Sequence, residues 1–355
     1  MDGYFDLGSH SRPVSTTSAE AQRWFDRGLV WCYGFNHEES VRCFQEAATH
    51  DPNCAMAHWG IAYAAGCNYN KPWEAFDPEE LAEALAVTQA ATQQALTHLD
   101  GTTPAEGALI EALAQRYQSD QVVSDDVFVA WNDAYAAAMR GVYARFPEDL
   151  DVAALFAEAL INRTPWQLWN LATGEPAADA DTLEALDVLE RGIAQFEEDG
   201  GQPHPGLLHI YLHTVEMSPH PERGLRAADL LRELVPDAGH LLHMPSHIDI
   251  LCGQYYNAVV ANSRAIAADM KYLAYAGAVN FYTLYRCHDY HFKLYAAMFL
   301  GQYGPAIEAA DELIATIPDD LLAMEQPAMA DWLEGFISMK MHVLIRFGRW
   351  QEIID

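Results

Sequence analysis

No run of about 18 apolar residues occurs anywhere in the 355-residue chain, so no segment reads as a membrane-spanning helix. The opening MDGYFDLGSHSRPVSTTS has no basic start leading into an apolar stretch, and no secretory leader is expected. Six cysteines, Cys32, Cys43, Cys54, Cys67, Cys252 and Cys287, form no C-x-x-C pair, and a chain of this length needs no disulfide staples. These absences predict a soluble, cytoplasmic protein with reduced, mostly buried thiols. Basic residues are scarce, 20 against 51 acidic, for a formal charge of −31. Such a balance repels nucleic-acid phosphates and anionic lipid, which excludes both as partners. H-E-x-x-H, the phosphate-cradling G-x-x-x-x-G-K-[ST] and G-x-S-x-G are all missing, so nucleotide chemistry and serine hydrolysis lose support. No segment alternates with period two for long enough to argue a sheet. Apolar side chains are plentiful, at 51%, and the chain should fold.

Histidine is what stands out. GHLLHMPSHI, residues 239–248, holds three, and LLHIYLHTVE carries two more. His209 and His213 recur as His243 and His247, 34 residues on, which is the period of a tetratricopeptide repeat. The same frame fits the other end of the chain. With Ala21 at position 1, Trp24, Gly28, Trp31, Phe44, Ala47 and Pro52 follow the repeat's pattern of large, small, aromatic, aromatic, small and proline, with Ser40 where alanine is usual. Small residues let two helices approach, aromatics fill between hairpins, and proline stops the second helix. Gly253-Tyr255-Ala258-Ala265 and Gly301-Tyr303-Ala306-Pro318 repeat the register, and Pro147 and Pro236 close helices likewise. The expectation is an all-α superhelix of tetratricopeptide-like helical hairpins (an α-solenoid): an arm over 1–20, then one array over 21–355. Insertions interrupt it at about 70–126, 163–181 and 271–286. In the first of these, Asp77-Pro78-Glu79-Glu80 and Thr103-Pro104-Ala105-Glu106 read as capped helix starts. The last repeat, from about Glu334 with Gly348 and Trp350 in register, is incomplete at Asp355. Its face is expected either to be covered by a partner, as in a homo-oligomer, or to continue in further residues.

In this frame His209, His213 and Glu216 take positions 5, 9 and 12 of one first helix, and His240, His243 and His247 positions 2, 5 and 9 of the next. His288 and His291 follow at positions 2 and 5, and His342 at position 9 of the last. Spacings of three and four put these on one helix face, the concave one. A lone histidine is usually a hydrogen-bonded core or surface residue, but the seven that converge between His209 and His291 are not required by packing. Imidazole is the shared ligand of copper, zinc, iron and nickel. Six ligands, His209, His213, His243, His247, His288 and His291, with His240 and His342 in reserve, suggest two ions. A set so poor in bridging carboxylates suits copper, with zinc or iron as alternatives. Glu216 and, one repeat earlier, Glu158 at position 9 are the candidate ligands, imidazole partners or bases. His37, in NHEES, falls in an interhelix turn and reads as structural. Upstream the same face carries Phe25, Leu29, Cys32, Tyr33, Met56, Trp59, Tyr63, Gly66 and Cys67. That surface suits a flat aromatic small molecule, unless the insertions close it and it is merely packed.

YGFNHEESVRCFQEA, CAMAHWGIAYAAGCNYN, HIYLHTVE and GHLLHMPSH together resemble a bacterial family of tetratricopeptide-repeat proteins over most of the chain. Part of that group is similar to copper-dependent tetratricopeptide-repeat oxygenases acting on aromatic natural products. The resemblance implies an oxidoreductase with an aromatic substrate and dioxygen, its metal held by the six histidines. Two other readings stand beside it: an adaptor that binds a peptide or protein in its groove with pH sensitivity from histidine, and a zinc or iron hydrolase with Glu216 or Glu158 as base.

Overall fold

Local sequence explains the first hairpin. Ser18 caps α1 (Ala19–Tyr33), its side chain accepting from Ala21 N–H at 3.2 Å, and Asn36 caps α2 (His37–His50), accepting from Glu39 N–H at 3.3 Å. Only Gly34 to Asn36 lie between them. A Cβ on Gly28 would stand 2.8 Å from the Phe44 ring, and one on Gly60, in the next helix, 2.4 Å from it. Phe44 is therefore gripped between two residues that must stay small, which is the packing expected from the repeat register.

This computed structural model describes residues 3–354, whose regular elements are all helices with no strand among them. The chain divides into two compact units, one of residues 9–219 and one of residues 3–8 with 220–354. The first unit continues with α3 (Ala55–Ala65) packed on α4 (Pro78–Thr97), α5 (Pro104–Leu113) on α6 (Asp125–Arg145), α7 (Leu150–Ile161) on α8 (Thr182–Glu198), and α9 (Pro205–Glu216) against α7 and α8. Both predicted helix starts are present. Asp77 accepts from Glu79 and Glu80 N–H at 2.9 and 3.0 Å, and Thr103 and Glu106 form a reciprocal capping box. The stretch expected as an insertion over 70–126 thus supplies regular hairpin helices, whereas 162–181 is a long non-helical connection.

The second unit holds α10 (Leu225–Leu231) against α12 (Pro245–Leu251), α11 (Gly239–His243) and α12 against α13 (Tyr255–Ala276), and α14 (Thr283–Phe299) against α15 (Tyr303–Ala315). The short α16 (Asp319–Leu322), α17 (Met329–Ile337), α18 (Met339–Arg346) and α19 (Trp350–Ile354) complete it. Leu294 and Ala297 of α14 interlock with Ala306, Ala310 and Leu313 of α15 in its core. The interruption expected at 271–286 is the end of an elongated α13 and a short link into α14. The expected arm over 1–20 is split: Asp6 N–H donates to Asp237 in the second unit, while Arg12 grips Asp149 in the first with nitrogens at 2.7 and 3.0 Å. All six thiols are free, and five are buried.

Candidate metal centre

In the second unit, His243 at the end of α11, His247 in α12 and His288 in α14 bring three ring nitrogens within 4.8 Å of one another. Pro245 lacks the N–H that would join α11 to α12, yet Met244 keeps helical dihedrals, so the i, i+4 spacing survives the break. His243 is fully buried. Its Nδ1 lies 2.6 Å from Asn262 Oδ1 and 3.1 Å from Asp289 Oδ1. Asn262 spends its amide N–H on the Ala258 carbonyl at 2.8 Å, which leaves Oδ1 as the atom facing the ring. Nδ1 is therefore the protonated nitrogen of His243, and Nε2 carries the lone pair, 2.8 Å from His247 Nε2. Ligand nitrogens around a tetrahedral ion with bonds of about 2.0–2.1 Å stand roughly 3.3 Å apart, so a small opening of this pair accommodates one. Phe292 lies 4.5–4.8 Å from all three rings and shields them on one side. Asp289 also pairs with Asp269 in the interior. Burial holds the Asp289 carboxyl well above the usual range and pushes Asp269 up to about 6.

The first unit repeats the arrangement on α9. His209 Nδ1 donates to the Tyr33 carbonyl at 2.5 Å, and His213 Nδ1 to Glu216 at 2.8 Å, again leaving Nε2 with the lone pair on both rings. The rings are 4.8 Å apart and buried. Phe35, Tyr69 and Trp166 surround His213 at 5.6, 5.1 and 5.7 Å. Glu216 thus orients an imidazole.

Glu158 stands in another cluster. Tyr63 hydroxyl donates to it at 3.0 Å and Asn162 at 2.9 Å, with the buried Arg116 guanidinium 3.6 Å away, so no imidazole is among its partners. Burial raises its carboxyl, and Arg116 opposes the shift. The upstream face from Phe25 to Cys67 is buried as well, so the open apolar groove considered from sequence is closed. Arg116 and Tyr117, just after α5, fill it; a Cβ on Gly66 would meet the Tyr117 hydroxyl at 2.1 Å.

Of the remaining histidines, His240 packs on Tyr285 at 4.6 Å, with its backbone N–H donating to the Tyr282 hydroxyl. His291 lies outside the trio, 6.3 Å from His288 between centroids, with Tyr295 and Phe336 as neighbours. Three residues advance a helix by about 4.5 Å, which carries its ring past the level of His243 and His247. Burial and nearby His342 lower its pKa. His37 Nδ1 donates to the Phe35 carbonyl, 3.2 Å away, and burial lowers its pKa to about 4.

A third group, His10, Asp151 and His204, was not foreseen. Asp151 Oδ1 receives His10 Nε2 at 3.1 Å, His204 Nε2 at 3.0 Å and the Tyr33 hydroxyl at 2.7 Å, while Oδ2 receives Arg12 at 3.1 Å. His204 Nδ1 is occupied too, accepting from Leu207 N–H as the cap of α9. Burial raises the Asp151 carboxyl, but the imidazole hydrogen bonds outweigh it and hold the group well below the usual range. With its oxygens so fully engaged, this cluster is a structural knot that ties the arm to α7 and to the start of α9. Nothing in the local pattern marks it, because its members come from the arm, the start of α7 and a helix cap.

No family model matches the chain, and no curated protein matches it. Solved structures to which it is similar include the tetratricopeptide-repeat domain of P58(IPK), with 13% identity over 93% of this chain and 93% of that one at a TM-score of 0.23. The APC/C hetero-tetramer Cut9-Hcn1 also has 13% identity, over 92% and 73%, at 0.23. A circular tandem repeat protein with novel repeat topology has 13%, over 93% and 78%, at 0.19. The fold itself is read from the chain's own helix pairs: it is an all-α, tetratricopeptide-like helical-hairpin protein.

Proposed function

We propose that this protein is a metal-dependent oxidoreductase whose centre is held by His243, His247 and His288. The observation that carries the reading is the set of contacts made by the two ring nitrogens of His243. Asn262 holds Nδ1, with Asp289 3.1 Å from it, and the lone pair of Nε2 faces two further imidazoles. Imidazoles that bind a metal characteristically have their other nitrogen held by a hydrogen bond of this kind. His209 and His213, set the same way, are the basis for a second ion. Neutral imidazoles favour copper over ions that prefer carboxylate shells. Copper would supply one-electron exchange with dioxygen toward an electron-rich aromatic substrate. The protein residues orient the rings, and Phe292 keeps water from one side of the trio. Glu216 is committed to His213, which weighs against its service as the base of a hydrolase.

The test is elemental analysis of untagged protein after reconstitution, followed by anaerobic reduction and admission of oxygen. About one or two equivalents of copper are expected, with a new visible or near-ultraviolet band that His247→Ala abolishes. Less than about half an equivalent of any transition metal overturns the reading. The helical-hairpin fold would then favour an adaptor, recognised by partner binding that His247→Ala leaves intact. Full zinc occupancy with turnover under nitrogen would favour the hydrolase.

A further inference from the structure

Among the described residues, two other than glycine adopt the left-handed backbone conformation, Phe35 (φ 56°) and Trp166 (φ 61°). Bulky side chains rarely tolerate it, and such strain tends to collect where a structure performs work. These two are far apart in sequence, yet both rings lie against His213, Phe35 stacked at 10° and Trp166 edge-on at 83°. His213 is 1% exposed and Trp166 is 42% exposed, so the indole reaches from the buried imidazole to the surface.

Trp166 also lines an open surface pocket of about 430 Å³ built by the connection between α7 and α8. Trp169, Leu171, Pro176 and Met217 supply apolar wall, Asn170 and Gln167 supply amides, and no charged side chain takes part. The wall is tied to the histidine helix. Trp169 indole N–H donates to the Thr214 carbonyl of α9 at 2.7 Å, and Met217 directly follows Glu216. A volume of this size, lined by indoles with a few amides, suits a small organic ligand. An uncharged lining on a protein of formal charge −31 selects against an anion.

We infer that this pocket binds a planar, uncharged aromatic molecule of one or two rings, and that Trp166 is the gate between it and the His209–His213 pair. The inference rests on the metal-centre reading only for what happens after binding. The site and the gate can be tested with metal-free protein, using 2-naphthol as probe and calorimetry on the full chain. Wild type should bind 2-naphthol and hold 2-naphthoate at least about tenfold more weakly. Ala178→Trp, a change at the exposed rim of the pocket, should abolish 2-naphthol binding while copper uptake stays unchanged. Trp166→Gly, which accepts the positive φ, should make His213 react several-fold faster with diethyl pyrocarbonate, read by peptide mass. Equal binding of the two naphthalenes, or undiminished binding in Ala178→Trp, overturns the site. An unchanged His213 rate in Trp166→Gly overturns the gate. A wild type that binds 2-naphthol at this pocket but takes up no metal keeps the site and sinks the metalloenzyme.

Discussion

At the scale of the residue, the chemistry of His243 is decided by a neighbour that has none of its own. Asn262 holds Nδ1 at 2.6 Å, so Asn262→Leu should lower metal affinity by about 10- to 100-fold with every imidazole in place. Competition with a chromophoric chelator measures this, and unchanged affinity would mean that Asp289 alone suffices. The Asp269–Asp289 pair carries a pH signature. Asp269 is pushed up to about 6 by burial, above its value in an unfolded chain, so its contribution is complete in acid and is lost as pH rises through about 6. Asp269→Asn removes that loss. It should be more stable than wild type at about pH 8 and show no advantage near pH 4, by urea midpoint at each pH. What was legible at this scale follows from periodicity: His209, His213, His243, His247 and His288 fall at repeat positions. The Asp151 knot was not, since a carboxylate's partners from the arm and from a helix cap leave no periodic trace.

Among the elements, caps were the most legible features, because a cap is a contract between residues three apart. Thr103-Pro104-Ala105-Glu106 became a capping box, and Glu106 also accepts from Ser15 N–H at 2.6 Å and from its hydroxyl, tying the arm to α5. Thr103→Ala should therefore cost about 1 kcal/mol, the usual value of a cap. Glu106→Ala, which removes the acceptor of three part-buried donors, should cost about 2–3 kcal/mol. Chemical denaturation of both separates the two magnitudes, and equal losses would show that the link to Ser15 contributes nothing. The role of α4 was less legible. Its alanine- and glutamine-rich run lacks the large-small anchors of the repeat, so it read as inserted helix, although it packs on α3 as a hairpin partner. Arg116 and Tyr117 were missed for a related reason: they lie past the end of α5, where no helical period predicts which face they fill.

For the molecule as a whole, 51 acidic residues against 20 basic ones mean that charge repulsion works against the folded chain. Raising sodium chloride from about 0.02 M to about 0.5 M should lift the melting temperature by several degrees through screening. A falling melting temperature would show that the surface ion pairs, such as Arg140 with Glu184, outweigh the repulsion. The connection between α7 and α8 has a consequence for how such a protein can change over time. A link of this length, 162–181, can lengthen or shorten at little entropic cost, since each doubling adds only about 0.6 kcal/mol. It is fastened near its middle by Trp169 and at its end by the Thr182 hydroxyl on the Leu168 carbonyl. Variation can therefore accumulate in residues 170–180 while the repeat scaffold and its imidazoles stay fixed, so that new ligand preferences can be acquired by exchanging one loop and inheriting everything else.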